Sequence, residues 1–179
     1  MGPLVHTAAM QQCAKLLRAD GINVKPGGWI ANMQADTDLP SHGYSFETGT
    51  GTILQQIEKL ASELKGLTPD ELTYKCQLIC HLCVDSFSVG QLSSELWGKY
   101  DNRMDIAGEF VGGKKKYGGS YYLNNHINTM ARIYLDYKEA SKSFRFLFSG
   151  QFKHMVRQCV YLGAIYAYTY ITEGLKNDN

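Results

Sequence analysis

Apolar residues recur along this chain at helical rather than alternating spacing. From about His6 to Ala19, the residues Ala8, Ala9, Cys13, Leu16 and Leu17 fall on one stripe, which predicts an amphipathic helix. Asp20-Gly21 then supplies a glycine stop. Residues 20 to 51 carry Gly, Pro, Asp and Ser instead of a periodic pattern and read as an ordered loop. Featureless connections rarely exceed ~15 residues, so a loop this long is expected to be functional. From Thr52 to Lys65 the stripe returns through Ile53, Ile57, Leu60, Ala61 and Leu64. Thr68-Pro69-Asp70-Glu71 is a helix start: Thr68 can cap, Pro69 suits the first helical position, and Glu71 completes a capping box. The helix that follows carries Leu72, Cys76, Ile79, Cys80, Cys83 and Val84 and is apolar on nearly all sides, the pattern of a central buried helix.

Residues 98 to 122 are Gly-rich and irregular. Asn124 or Asn125 can cap a helix through Ile127, Met130, Ala131, Ile133 and Tyr134. A last helix is expected from about Gln151 to Thr172, with Phe152, Met155, Val156, Cys159, Leu162 and Ile165 on it. There is no internal repeat and no period-two stretch long enough for a sheet. The expectation is a compact, multi-helix, all-α single domain spanning residues 1–179.

Composition narrows the function more than the fold. A chain of 179 residues can bury a sizeable core as one domain. No run of 18 apolar residues occurs, so no transmembrane segment is expected, and the opening Met1-Gly2-Pro3-Leu4-Val5-His6 shows no signal peptide. A net charge of +1 offers little of the basic face that duplex binders use, so no duplex nucleic acid is expected as a partner. The one basic run, Lys114-Lys115-Lys116, reads as a solvated loop, with a phosphate or lipid headgroup contact as the alternative. Cys80-His81-Leu82-Cys83 contains C-x-x-C, but no second pair follows at zinc-ribbon spacing, and in so apolar a helix the cysteines read as small hydrophobes, with a metal or redox role as the alternative.

The chemistry centres on His81 and Asp85, four residues apart on the most apolar helix and therefore on one face. Burying an imidazole and a carboxylate there is costly unless they pair with each other or bind a metal. A plain His–Asp contact is one reading. The other draws on His6 at the first helix and on Asp36, Asp38 and His42 in the long loop, since His and Asp from scattered segments are what a zinc site of nitrogen and oxygen ligands uses. Asp85 has two oxygens and could bridge two metals. His126 reads as either a polar helix-start residue or a ligand, His154 as an exposed residue or partner contact, and Trp29 and the tyrosines as core and rim residues, or else as a stacking surface for a base or choline.

Taken together these segments resemble the zinc-dependent phospholipase C and S1/P1 nuclease superfamily, all-α enzymes with a cluster of three zincs. Met1 to His6 is similar to the mature nuclease start, a Trp with a His five residues on, where the terminal residue binds zinc through its amine and carbonyl. Ile30-Ala31-Asn32-Met33-Gln34-Ala35-Asp36 resembles the loop whose Ala-Asp gives a ligand, and Ser41-His42-Gly43-Tyr44 the His that follows. Leu78-Ile79-Cys80-His81-Leu82-Cys83-Val84-Asp85 is similar to the central HxxxD helix. Gly98-Lys99-Tyr100-Asp101-Asn102 is close to a phospholipase segment with a His and a Glu, and the last helix, through Gln158, Gly163, Tyr166 and Tyr170, resembles the phospholipase C-terminal helix.

The chain also departs from that pattern. Gln91 stands where the family has a further His, and Trp97 takes the next His position in one register, leaving Asp101 as the candidate ligand. In a nuclease-like register His126 fills that position, but its carboxylate partner becomes Met130. The resemblance thus implies metal ligands Met1, His6, Asp36, His42, His81 and Asp85, with His126 or Asp101 beside them, holding about two zincs, with one or three as alternatives. One zinc would take Asp36, His42, His81 and Asp85, and the other the N-terminal residue, His6 and Asp85. It implies a zinc-dependent phosphodiester hydrolase in which Asp36 and Asp85 are catalytic and a metal-activated water attacks a phospholipid or nucleotide-type substrate. It also implies a secreted protein. The alternative is a divergent member with a reduced metal site that does other chemistry or serves as a binding protein.

Overall fold

The computed structural model describes residues 3–40, 51–87, 126, 129–131, 133, 135–136 and 150–176. Among them every element is helical: α1 (Pro3–Ala19), α2 (Trp29–Asp38), α3 (Gly51–Ser62), α4 (Pro69–Ser86) and α5 (Gly150–Lys176). His126 and residues 129–131, 133, 135 and 136 are also helical, where the pattern predicts a helix before α5. Helix α4 touches each of the other four labelled helices, and α1 and α5 pack on it and on each other. Among the described residues no helix is long and apolar enough to cross a membrane.

The punctuation works as the side chains dictate. At the end of α1 the Ile22 N–H reaches the Leu17 carbonyl and the Gly21 N–H the Arg18 carbonyl, both at 3.0 Å. That pair of bonds is a Schellman motif, and it needs the left-handed backbone that Gly21 adopts at φ +80°. At the start of α4, Glu71 N–H donates to Thr68 Oγ1 at 3.3 Å and Thr68 N–H to Glu71 Oε2 at 2.8 Å, the expected capping box, with Pro69 behind it.

The stretch from 20 to 51 differs from expectation, because it contains α2. Its N-cap is Gly28, with no side-chain cap, and its apolar residues do not mark an inner face: Ile30 and Met33 are exposed, whereas Ala35 and Asn32 are buried. Periodicity therefore has no signal to report. Docking on α1 and α4 holds the helix in place.

The core joins Leu17 of α1, Ile53 and Ile57 of α3, Ile79 and Leu82 of α4, and Ile165 and Ile171 of α5. Two glycines let α5 come close. A Cβ on Gly163 would stand 2.6 Å from Val84 Cγ2 and 3.0 Å from Val84 Cα, one residue before Asp85. A Cβ on Gly174 would meet the Ala61 carbonyl oxygen at 2.3 Å. In an open helix Gly→Ala gains about 1 kcal/mol, but forcing a methyl into a filled interface costs about 1–3 kcal/mol. The Gly174 contact is with backbone, which cannot swing aside, so the steric effect wins. Gly174→Ala is expected to lower stability by about 1–2 kcal/mol in denaturant melts, and a stability gain would contradict this close approach.

Candidate metal centre

Three helices bring the site together. His6 comes from α1, Asn32 and Asp36 lie one turn apart on α2, and His81 and Asp85 lie one turn apart on α4. His6, His81 and Asp85 are all buried, whereas Asp36 is 59% exposed and lies at the solvent edge of the group.

Asp85 divides its two oxygens between the two imidazoles. Its Oδ1 lies 3.0 Å from His6 Nε2 and its Oδ2 lies 3.0 Å from His81 Nε2. The rings stack almost parallel, with centroids 4.0 Å apart and planes 7° from each other. His81 Nε2 is also 3.1 Å from Asp36 Oδ1, and His81 Nδ1–H donates to Asn32 Oδ1 at 2.9 Å. Asn32 thus fixes which face of the ring looks inward, the part an outer partner plays for a metal-binding histidine.

The electrostatics separate the two rings. Burial and the nearby His81 hold His6 down at about 4, although Asp85 opposes this. Burial pulls on His81 too, but the carboxylates of Asp85 and then Asp36 outweigh it and bring His81 up to about 9. Burial tends to raise Asp36, yet the hydrogen bond and charge of His81 keep it below the usual carboxylate range. At neutral pH the centre therefore holds a neutral His6 imidazole and a His81 imidazolium.

His6, His81 and Asp85 each offer a ligand atom within 4.8 Å of the others, a group able to hold a metal ion. The side chains fit such an ion in two respects. The donor set is nitrogen and carboxylate oxygen, which zinc and its neighbours accept. Both ring nitrogens of His6 are buried without a hydrogen bond, because the Asp85 contact is close but not aligned for one. A buried unbonded imidazole is uncommon in a native protein and calls for a partner.

Of the other candidates, Met1, His42 and Asp101 lie outside the described residues, as do Gln91, Trp97 and the lysine run at 114–116. Asp38 points elsewhere: it accepts from Gln34 at 2.8 Å and from the Tyr74 hydroxyl. His126 is fully buried apart from the group, with Nε2 2.7 Å from Ser86 Oγ and Nδ1 2.9 Å from the Tyr170 hydroxyl. Met130 is a core residue and His154 is exposed. The five cysteines are buried free thiols, in keeping with their reading as core residues. Asn32 is the site residue that sequence reasoning missed. Its signal is position, four residues before Asp36 on one helical face, which is visible only once α2 is known to be a helix.

No family model, curated protein or solved structure matches the chain.

Two predictions come from this geometry. Replacing Asn32 with Leu removes the acceptor that orients His81, so any metal ion taken up by His6, His81 and Asp85 is expected to bind about 10–100-fold more weakly in a competition titration; unchanged affinity would show that Asn32 does not orient the ring. The second concerns pH. Burial holds His126 at about 3, so between there and the ordinary 6.5 the unfolded chain takes up a proton that the native chain does not. The stability this group contributes is whole above about pH 6.5 and drains as pH falls toward 3, at up to ~1.4 kcal/mol per unit. The stability gap between wild type and His126→Gln should therefore narrow as pH falls from 6.5 to 5 in urea melts. Parallel curves would show that His126 is not buried in its neutral form.

Proposed function

We propose that the chain is a zinc-dependent phosphoric-ester hydrolase of the phospholipase C and S1/P1 nuclease type, acting on a lipid headgroup or other small phosphodiester. The observation that carries this reading is the way Asp85 splits its oxygens. One side of the carboxylate meets His6 and the other meets His81, whose Nε2 also lies beside Asp36. This is the division of ligands expected if a carboxylate is shared by two cations, and it follows the two half-sets that the resemblance implies.

The residues that would hold metal are His6 and Asp85 on one side and His81, Asp85 and Asp36 on the other, with Asn32 orienting His81. Bound zinc would supply a lowered pKa for water and charge stabilisation at phosphorus. The protein's part is then specific. Burial keeps the His6 imidazole neutral and its lone pair available for a ligand bond. The His81 imidazolium has to release its Nε2 proton when a cation enters, so loading competes with protons below about pH 9. Asp36, half exposed, is the member that an incoming ester meets first, and it can accept a proton from a water at that edge.

The second reading, a reduced site on the same fold that binds a partner or does other chemistry, is favoured by His126. With both ring nitrogens hydrogen-bonded inside the protein, it is committed elsewhere.

Metal removal separates these possibilities. Ligands drawn from three helices make binding part of folding, so zinc at ~100 times its Kd should stabilise the chain by about 2.7 kcal/mol, or about 5–11 °C in Tm for a domain of this size. Chelator dialysis should remove that increment and abolish hydrolysis of bis(p-nitrophenyl) phosphate, and zinc should restore both. Asp85→Asn should lose bound metal by elemental analysis. Restored melting without hydrolysis would select the binding-protein reading, and a chelator-insensitive Tm in protein that never contained metal would remove both.

A further inference from the structure

We propose that His126 is a positioning residue for the metal centre, acting on Asp85 through Ser86. This rests on the reading that the centre binds metal. Asp85 lies in the last turn of α4, where helix carbonyls lose their partners and the backbone tends to fray. Yet this turn has to hold both carboxylate oxygens at 3.0 Å from two separate rings. Metal sites tolerate misplacement of only about 0.5 Å.

The turn is held from two directions. Ser86 Oγ–H donates to the Cys83 carbonyl at 2.6 Å. Its one proton is thereby used, so His126 Nε2–H must donate to Ser86 Oγ across 2.7 Å. Nδ1 is then left as an acceptor, and the Tyr170 hydroxyl of α5 donates to it at 2.9 Å. One tautomer satisfies every atom of the chain, and the order of donation runs from α5 through His126 into the backbone of the Asp85 turn. Phe87, the next residue, stacks on the His126 ring at 4.9 Å, and Cys159 Sγ–H donates to the Phe87 carbonyl at 2.9 Å. His126 is thus the relay between a rigid helix and the turn that carries the shared carboxylate.

A purely structural role for His126 would need only its bulk, and a positioning role needs its two hydrogen bonds. His126→Phe keeps an aromatic ring against Phe87 and removes both bonds, whereas His126→Gln keeps one donor and one acceptor. The probes are Zn2+ by competition and Co2+ by its visible absorption bands, which report ligand geometry, with circular dichroism and metal-free melting as controls for folding. The expected result is a 10–100-fold weaker Zn2+ affinity and altered cobalt bands for His126→Phe, and recovery of most of both by His126→Gln. Ser86→Ala, a smaller change, should shift affinity in the same direction. A folded His126→Phe that binds cobalt as wild type does would overturn the proposal. If that variant does not fold, Ser86→Ala decides alone, and wild-type affinity there overturns it equally. Wild-type protein that takes up neither ion would bring down the metal reading itself, and the positioning role with it.

Discussion

A carboxylate buried against the Nε2 edges of two stacked imidazoles is the constraint around which this protein is arranged. Removing a charge of that kind from water costs several kcal/mol and is tolerated only when partners surround it. Asp85 lies on α4, which packs against the other four labelled helices, and its partners come from α1 and from its own preceding turn. With Asn32 and Asp36 of α2 set against His81, the fold must bring three helices to one point and keep them there. A structure built only to bury Leu and Ile would need none of this. An apolar replacement of the whole cluster would often be as stable or more so, so stability alone does not account for burying these residues.

The scaffold meets the constraint with close contacts and with polar ties. Gly163 lets α5 lie against Val84, so the backbone just before Asp85 is backed by a long helix and not by a flexible side chain. From the same helix Tyr170 reaches His126, and through it the end of α4. Asn32 acts from the opposite side, turning His81 so that its Nε2 looks inward. The result is asymmetric. Burial lowers both rings, but at His81 the carboxylates of Asp85 and Asp36 outweigh it, whereas at His6 the single carboxylate of Asp85 does not, so the two rings end on opposite sides of the ordinary value. An incoming cation would meet one ready ligand and one that must first give up a proton.

This asymmetry bears on what the site can be used for. A plain His–Asp pair would neutralise its charge within itself and leave no reason to bury a second imidazole at stacking distance. The exposed Asp36 gives the group an opening to solvent, which a purely structural metal site does not require. The second imidazole is brought by α1 and the opening to solvent by α2, each packed against α4.

Much of the architecture was written locally. The stripes of α1 and α3, the Thr68 to Glu71 capping box and the Gly21 stop are determined by residues a few positions apart, and such short-range physics can be read directly from sequence. The pairing of His81 with Asp85 is also local, because a helix puts i and i+4 on one face whatever surrounds it. Helix α2 was not legible: with Gly28 as its cap and Ile30 and Met33 turned outward, its stability comes from α1 and α4 and not from its own pattern. The roles of Asn32 and His126 follow the same rule. An asparagine or histidine does not state its partner in sequence, and the 49 positions from Asn32 to His81, or the 44 from His126 to Tyr170, close only when helices cross. Local side-chain chemistry determined which helices exist and where they stop, while long-range burial decided which polar groups share the interior, because only packing removes the water that would otherwise satisfy each of them alone.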